Sequence, residues 1–369
     1  MTKTTILFYT PFSLRSRDTE SLMIKFKELG HTVYYLSQCY GEEIQLLLAA
    51  KGIHVYNTPT PKKNKAWNVL VQVMFLSNFC RKHHIQLVFS HLEPANFISS
   101  IAQFIVRAKV VICRHHVDEF RMINKDHLLS YKLTYKLGRK FIVVSKKSKE
   151  YMIQEEGIAD AKIDVINLSY DFNLYPKVNE KERDAIREEY ACDLLMVTAC
   201  RMVENKRPDV SIMLLKKLVD NGISAKLLLL GDGDLMDRLS KSIKEQGLQE
   251  RCFMLGRVEG VLNYLSAADV LVHPSLIDSS SVIIKEAGLV NKPVIVCSGI
   301  GDVDDYIENG VNGILVRKDY FVDDAYEVLV PVDGFKAMGK RLGTALHESI
   351  LKQFSVEENI CHYDGFLAI

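Results

Sequence analysis

Two carboxylates, Asp278 and Glu286, stand eight residues apart on either side of three serines at residues 279–281. Asp278 follows an apolar run typical of a strand, and Glu286 falls in a segment with helical periodicity. Carboxylates at such places can accept hydrogen bonds from hydroxyl groups. Glu286 would suit the two hydroxyls of a ribose, and Asp278 those of a sugar ring. The alternative is that Asp278 and the serines only cap the helix and that Glu286 is exposed.

The helix that carries Glu286 is predicted to begin near Ser280. The first backbone N–H groups, at Ser281, Val282 and Ile283, would then have no acceptor within the helix. Glu286 would lie one turn further along, on the same face as Val282. The spacing therefore predicts a carboxylate and a site for negative charge at one helix start.

Two cations, Arg201 and Lys206, follow the apolar run DLLMVTAC and precede another helical segment. Cations that converge beside a helix start favour a polyanion such as a diphosphate. A solvated, basic helix start is the alternative interpretation. Glycine-rich turns follow the next two runs, GDGDL at residues 231–235 and GRVEG at residues 256–260. The first is typical of any tight turn, and the backbone of the second could face a flat nucleobase.

These groups need a scaffold that ends several strands at one edge. Short apolar runs alternate with helix-period segments in two series along the chain. The first series is TTILFYT, HTVYYLS, IQLVFS, KVVICR and KFIVVS, and the second is DLLMVTAC, AKLLLLG, CFMLG, ADVLVHP, KPVIVCS and NGILV. This alternation predicts parallel sheets with helices on both faces.

We therefore expect an α/β protein of two doubly wound, Rossmann-like domains that face each other across a cleft. Ligands in such folds bind beyond the carboxyl ends of the strands. The N-terminal domain is predicted at residues 1–172 and the C-terminal domain at residues 173–348, joined by a polar segment near residues 172–190. Residues 349–369 are predicted to form a final helix.

The composition is that of a globular protein in a reducing compartment. The chain has 369 residues, a net charge of +1 and eight cysteines without a CxxC pair. Cysteines within apolar runs argue against a disulfide or zinc framework, and the small net charge argues against nucleic acid as a partner. The N-terminal apolar run is too short for a signal peptide, and no run approaches a membrane span. We expect a cytoplasmic protein.

Taken in order, the motifs of the second series resemble those of the family 4 glycosyltransferases. From about residue 194 to residue 316 the chain reads R-x4-K, GDG, LGRV, AADVLVHPS, D-x7-E followed by alanine, KPVIV and NGVNGILV. The first half resembles the family more loosely, through LGHTVYYLS, a histidine-bearing loop after VVIC, and FIVVSKKSKEYM. The resemblance implies the GT-B fold and a retaining transfer of a sugar from a nucleotide sugar, UDP- or GDP-linked, without a metal. It also implies that residues 349–369 cross back to the N-terminal domain.

The resemblance implies a role for each motif residue that matches. Arg201 and Lys206 would neutralise the diphosphate as it leaves. Glu286 would hold the ribose, Asp278 the hydroxyls of the donor sugar, and the N–H groups of residues 281–283 the phosphate or sugar.

Two further positions receive roles in the same way. Arg257 and Val258 would lie beside the base. Of two adjacent histidines after VVIC, His115 falls where the family places one near the reacting carbon, and we prefer it to His116.

Three departures from the family pattern stand out. Asp278 replaces the usual glutamate and is one methylene shorter, which changes its distance to the sugar. Ser281 replaces a common glycine. The glycine pair often found after the first strand is absent, and Arg15 and Arg17 stand there instead, either as phosphate or acceptor contacts or as solvated cations.

The N-terminal half is locally basic. Residues 121–150 contain nine Lys or Arg against two acidic residues, and KKNK at residues 62–65 precedes Ala66 and Trp67. Such patches suit anionic lipid headgroups or a lipid-linked diphosphate acceptor at the inner membrane face. A solvated helix face is the alternative.

The combined expectation is a glycosyltransferase of the hexosyltransferase type that builds a surface polysaccharide or another glycoconjugate on a glycan or lipid-linked acceptor. Two alternatives stay open. One is a catalytically weakened relative that binds or regulates a partner. The other is a nucleotide-sugar epimerase of the same architecture, against which the R-x4-K and D-x7-E pattern argues.

Overall fold

The computed structural model of the protein describes residues 3–13, 15–59, 65–115 and 128–367. The chain divides into two compact units, residues 1–172 with 354–369 and residues 173–353. Several residues named above lie outside the described ranges: His116, residues 62–64, Arg121 and Lys125.

The first unit is built on a parallel sheet in which the described residues form seven strands, in the order β3-β2-β1-β4-β5-β6-β7. The strands are β1 (Thr5–Thr10), β2 (Thr32–Ser37), β3 (His54–Asn57), β4 (Leu87–His91), β5 (Lys109–Arg114), β6 (Phe141–Val143) and β7 (Ile163–Val165). The helices are α1 (Arg17–Glu28), α2 (Glu42–Ala50), α3 (Lys65–Lys82), α4 (Ala95–Ala102), α5 (Leu128–Leu137) and α6 (Lys146–Gln154), with a 3₁₀ turn at Asp160–Lys162.

Both faces of this sheet are covered. Ile6 and Phe8 of β1 pack with α1, whereas Leu7 and Tyr9 point to the opposite face and pack with α3 and α4. The two faces alternate because successive side chains of a strand point to opposite sides. The last residues of the chain join the first face, where the rings of Tyr363 and Phe366 lie 5.7 and 6.2 Å from that of Phe89.

The second unit repeats the plan with a six-stranded parallel sheet in the order β10-β9-β8-β11-β12-β13. The strands are β8 (Leu194–Ala199), β9 (Ala225–Leu230), β10 (Cys252–Gly256), β11 (Val270–His273), β12 (Val294–Cys297) and β13 (Ile314–Val316). The helices are α7 (Glu180–Glu189), α8 (Pro208–Asp220), α9 (Met236–Glu245), α10 (Val261–Ala267), α11 (Val282–Leu289), α12 (Val303–Tyr306), α13 (Phe321–Leu329) and α14 (Val332–Phe354), with 3₁₀ turns at Phe172–Leu174 and Glu204–Lys206.

The chain continues past α14 into short helices of the first unit, α15 (Val356–Asn359), a 3₁₀ turn at Ile360–Tyr363 and α16 (Asp364–Leu367). The division between the units falls at residues 353/354, five residues after the predicted start of the final segment. The polar segment before β8 is also more than a connection, because it contains α7. Asn179 caps α7, and its backbone N–H donates to Asn263 Oδ1 at 2.8 Å.

The predicted fold class is confirmed, since each unit is a doubly wound α/β domain with a parallel sheet. In the ranges that the structure describes, no helix is both long enough and apolar enough to cross a membrane.

Candidate functional site

The second sheet has its switch point between β8 and β11, where the strand order turns from one direction to the other. Ligands in such folds bind at the carboxyl ends of the strands at this point. A cavity of about 450 Å³ lies there. Its lining comes from the ends of β8 and β9, from the loops after β8, β9 and β10, from the start of α10 and from the first turns of α11: Ala199, Cys200, Arg201, Leu230, Gly231, Asp232, Arg257, Val258, Val261, Val282, Ile283 and Glu286.

Six of the residues predicted to bind the donor or to stabilise the leaving diphosphate thus line one cavity, although they come from positions up to 85 apart in the chain. The Glu286 residue is 8% exposed, so the alternative interpretation of an exposed glutamate is wrong. Arg201 and Arg257 are exposed at the rim. The cavity therefore offers a carboxylate on its wall and two guanidinium groups at its mouth.

The GDG turn holds the Arg201 loop in place by close backbone contact. Gly231 has φ +124°, and a Cβ atom on it would lie 1.9 Å from the carbonyl oxygen of Cys200. A Cβ on Gly233 would lie 2.5 Å from the oxygen of Met202. The Met202 N–H donates to the Asp232 oxygen at 3.0 Å. Glycine is required at both positions because a side chain would collide with the backbone of the other loop. The requirement therefore comes from the contact between two loops and not only from the tight turn.

Lys206 and Asp278 form an ion pair beside this cavity. Lys206 Nζ lies 2.6 Å from Asp278 Oδ2, and both side chains are largely buried. His273, the last residue of β11, places Nε2 3.2 Å from the same carboxylate oxygen and 3.3 Å from the Ser281 hydroxyl. Burial raises the pKa of Asp278, but the hydrogen bond from His273 and the charge of Lys206 outweigh it and hold that pKa well below its usual range.

The helix start at this site lies close to its predicted position. α11 begins at Val282, and Ser281 occupies the N-cap position, but its hydroxyl makes no capping hydrogen bond. Ser280 Oγ donates to Asp302 Oδ2 at 2.5 Å instead. The interpretation of these serines as helix caps is therefore wrong. The hydroxyls of Ser280 and Ser281 contact Asp302 and His273 instead, and the first N–H groups of α11 can bind an anion.

The loop that carries Asp278 rests on a buried ion pair that the sequence did not indicate. Lys285 Nζ lies 2.7 Å from Asp302 Oδ2 and 2.9 Å from Ser280 Oγ, with both charged side chains fully buried. Gly301, at φ +57°, packs so closely that a Cβ atom would lie 2.6 Å from the carbonyl oxygen of Asp278. The pair and the glycine together fix the backbone that presents Asp278.

The first unit has its own group of polar residues at the carboxyl ends of its strands. His115 follows β5, and its Nε2 lies 2.9 Å from Nδ1 of His91, the last residue of β4. Both histidines line a cavity of about 290 Å³ with Thr10, Arg15 and Tyr35. Burial lowers the pKa of both imidazoles, more strongly in His91, and Asp18 only partly offsets the effect at His115. At neutral pH this pair is uncharged.

Arg15 and Arg17 lie at the start of α1. The Arg15 guanidinium makes two hydrogen bonds to Glu20, at 2.7 and 2.9 Å, and a third to Glu43 at 2.8 Å. Its charge is thus already bound by two carboxylates of the same unit. Arg17 is the first residue of the helix and is exposed.

The predicted site residues thus form two separate groups. His115, Arg15 and Arg17 belong to the first unit, and the others belong to the second. Sequence reasoning missed His91, His273, Lys285 and Asp302. The first two could have been found by the signal that selected His115, a histidine at the end of an apolar strand run.

Comparison with known proteins gives a family for both halves of the chain. The profile described as "Glycosyltransferase Family 4" matches residues 17–173, and the profile "Glycosyl transferases group 1" matches residues 179–327. Together the two profiles cover most of the chain.

Individual relatives are distant. The GPI3 subunit of phosphatidylinositol N-acetylglucosaminyltransferase from Saccharomyces cerevisiae is 24% identical over 298 residues, which cover 77% of this chain and 64% of the yeast protein. The chain thus spans less than two thirds of that relative. The UDP-Gal:alpha-D-GlcNAc-diphosphoundecaprenol alpha-1,3-galactosyltransferase of Escherichia coli is 24% identical, with 71% of this chain and 70% of the relative covered.

The fold is shared with solved structures over the whole chain. The crystal structure of Alr3699/HepE from Anabaena in complex with UDP superposes with a TM-score of 0.83 at 19% identity, covering 99% of this chain and 100% of that one. The chain therefore belongs to the family 4 glycosyltransferases, and its two α/β units are those of the GT-B fold.

Proposed function

We propose that this protein transfers a hexose from a nucleotide-diphosphate sugar to a glycan or lipid-linked acceptor, with retention of configuration at the anomeric carbon. The observation that carries the proposal is the cavity at the switch point of the second sheet, where Arg201, Arg257, Val258 and Glu286 meet. An arginine such as Arg201 suits a diphosphate, and Arg257 and Val258 suit a base. The carboxylate of Glu286 suits the hydroxyls of a ribose.

Each part of a nucleotide sugar has a counterpart at this site. Glu286 accepts the ribose hydroxyls, and its low exposure favours strong hydrogen bonds because water competes little there. Arg257 and Val258 flank the base. Arg201 and Lys206 take the diphosphate together with the first turn of α11.

Asp278 is assigned to the hydroxyls of the donor sugar. Its depressed pKa keeps it ionised, so it accepts hydrogen bonds and donates none. Lys206, already 2.6 Å from this carboxylate, would lie between sugar and phosphate and could interact with both. The Asp278 side chain is one methylene shorter than the glutamate usual in the family, and Gly301 packs directly against the backbone that carries it.

In the transfer step the bond between the anomeric carbon and the diphosphate oxygen breaks, and its electron pair stays on the diphosphate. The acceptor hydroxyl oxygen bonds to the same carbon on the same face, and its proton passes to the departing diphosphate oxygen. Negative charge on the diphosphate is greatest in the transition state, so Arg201 and Lys206 contribute most there. We propose that His115 lies near the anomeric carbon, where its neutral imidazole can donate or accept a hydrogen bond.

We propose that no metal takes part and that the donor is a UDP- or GDP-sugar. Lys206 and Arg201 supply the positive charge that a divalent ion supplies in other phosphate chemistry. The UDP in the HepE crystal structure belongs to that protein, and it makes UDP the first nucleotide to test here.

We also propose that the enzyme works in the cytoplasm, peripherally at the inner membrane face, on a lipid-linked acceptor for surface polysaccharide or another glycoconjugate. Trp67, Leu70 and Met74 are each at least half exposed and lie along one face of α3. An exposed apolar stripe of this kind suits a membrane surface. The name of the Escherichia coli relative gives that protein a diphosphoundecaprenol acceptor.

The test is a transfer assay with labelled UDP- and GDP-hexoses and lipid-diphosphate-linked acceptors, in EDTA, followed by NMR of the product. A product whose new linkage keeps the α configuration of an α-linked donor supports the proposal. An inverted linkage contradicts retention. An isomerised nucleotide sugar without transfer identifies an epimerase, and nucleotide binding without any product identifies a regulatory relative.

A further inference from the structure

The largest cavity among those described in the first unit lies away from His91 and His115. It measures about 710 Å³ and opens at the amino ends of β5 and β6, the opposite edge of the sheet from the two histidines. Lys109 is the first residue of β5, and Arg139 and Lys140 directly precede β6. Asp164 and His362 complete its charged or titratable lining.

The charges of this cavity are not balanced. Lys140 Nζ lies 2.9 Å from Asp164 and is neutralised by it. Lys109 Nζ donates to the carbonyl oxygen of Gly365 at 3.0 Å, and the Arg139 guanidinium lies over the ring of Phe104 at 4.8 Å. Within the described ranges neither Lys109 nor Arg139 has a carboxylate within 4.0 Å. Among the residues that the structure describes, these two cations of the cavity therefore have no ion-pair partner.

The surroundings of Lys109 disfavour its charged form. Burial and the neighbouring Lys140 lower the pKa of Lys109, and Asp164 offsets this only in part. An anion bound beside Lys109 and Arg139 would favour the charged form of Lys109. Phosphate suits such a pair, because guanidinium and ammonium groups both bind its oxygens through charge-assisted hydrogen bonds.

The rim of the cavity is apolar on one side. Phe104 and Ile105 are 56% and 52% exposed, and the Phe104 ring is the one that Arg139 covers. Phe366 lies in the lining, 5.1 Å from Lys109 Nζ. A charged floor beside exposed apolar side chains matches a phosphate that is attached to an apolar group, as in a lipid headgroup.

We infer that this cavity is a phosphate-binding site, held by Lys109 and Arg139 and distinct from the proposed donor site of the second unit. The inference rests on this cavity alone and does not depend on the proposed function. The phosphate belongs either to an anionic lipid or to a free phosphate compound, and these two sources differ in whether a bilayer is needed.

The test compares three forms of the full chain. The double variant Lys109→Gln/Arg139→Gln removes the two cations. The control Lys51→Gln/Lys82→Gln removes two exposed lysines that follow α2 and end α3, at the same edge of the sheet. Binding is measured by sedimentation with phosphatidylcholine vesicles, with and without phosphatidic acid, and by titration with inorganic phosphate. Stabilisation by UDP is recorded for each form, so that damage to the donor site is seen separately.

We expect wild type and control to bind vesicles that contain phosphatidic acid. The double variant should bind about 25-fold more weakly, from about fivefold, or ~1 kcal/mol, for each charge. Inorganic phosphate binding that is lost in the double variant, without vesicle binding, would assign the site to a free phosphate compound. Equal losses in the control and the double variant would overturn the inference, as would the absence of binding to both probes in the wild type.

Discussion

The two units place a histidine at equivalent positions and use it differently. His91 ends β4 and His273 ends β11, each next to the first strand of its series in the sheet order. His91 pairs with another imidazole, that of His115, at 2.9 Å. His273 pairs instead with the carboxylate of Asp278, which Lys206 also binds.

This difference shows that the sheet determines where a site lies, whereas the loops that follow its strands determine the charge of the site. The imidazoles of His91 and His115 are neutral at pH 7, because burial lowers the pKa of both. Beside His273, Lys206 and Asp278 form an ion pair. A neutral imidazole pair suits an acceptor hydroxyl, and a site with a cation suits a nucleotide diphosphate.

The largest expected effect concerns the ion pair beneath the charged site. Replacing Lys285 by Met leaves Asp302 buried without its counter-charge, and it should lower the free energy of unfolding by about 3–5 kcal/mol. Urea unfolding measures this, with the exposed Lys241→Met as the control. A loss below about 1 kcal/mol for Lys285→Met would show that the pair does not hold the loop.

The next effect separates stabilisation of the leaving group from binding. Arg201→Ala should lower kcat by about 10²–10³-fold, because one donor to a developing negative charge contributes that much. The affinity for the intact donor should change less. Steady-state kinetics and titration with the donor measure the two quantities, and Lys241→Ala is the matched control. Loss of donor affinity with kcat unchanged would contradict the role of Arg201.

A smaller effect tests the ribose contact. Glu286→Ala should weaken nucleotide binding by about 1–3 kcal/mol, the cost of losing hydrogen bonds to a largely buried charged acceptor. Glu250→Ala removes an exposed carboxylate of the same unit and should leave the affinity unchanged. If Glu286→Ala also binds the nucleotide as the wild type does, Glu286 is not part of the site.

The smallest effect probes the neutral histidine pair. Both pKa values are lowered in the folded state, so below about pH 6.5 the unfolded chain binds more protons than the folded one. Stability is therefore full above pH 6.5 and falls as the pH drops, by at most ~1.4 kcal/mol per pH unit for each histidine. His91→Gln should reduce this slope, measured by urea unfolding from pH 7.5 to 5.5. An unchanged slope in His91→Gln would mean that the pair is not neutral.

Much of the fold was predictable because buried parallel strands consist mostly of consecutive apolar residues. All eleven runs identified in the sequence overlap a strand of the structure. Two strands were missed, β3 and β7. β3 is largely exposed at the edge of its sheet, and β7 has only three residues, so neither leaves a long apolar run.

The site was predictable only in part, for a related reason. Arg201, Arg257 and Glu286 stand in motifs that follow strands, and the parallel sheet brings such positions to one edge. The Lys285–Asp302 pair and the contact of Gly301 with Asp278 join residues that are 17 and 23 positions apart in the chain. One sequence carries no signal for such pairings. The serines resembled helix caps because their residue type favours that role, whereas neighbouring loops supplied other partners.

The central claim is that the second unit holds a metal-free nucleotide-diphosphate site built on Glu286 and Arg201. The most direct measurement is the thermal stabilisation of the protein by UDP and GDP and their sugars, with and without EDTA, in wild type and Glu286→Ala. We predict a shift with one nucleotide family that persists in EDTA and shrinks in the variant. No shift with any nucleotide, or one that EDTA abolishes, would contradict the claim.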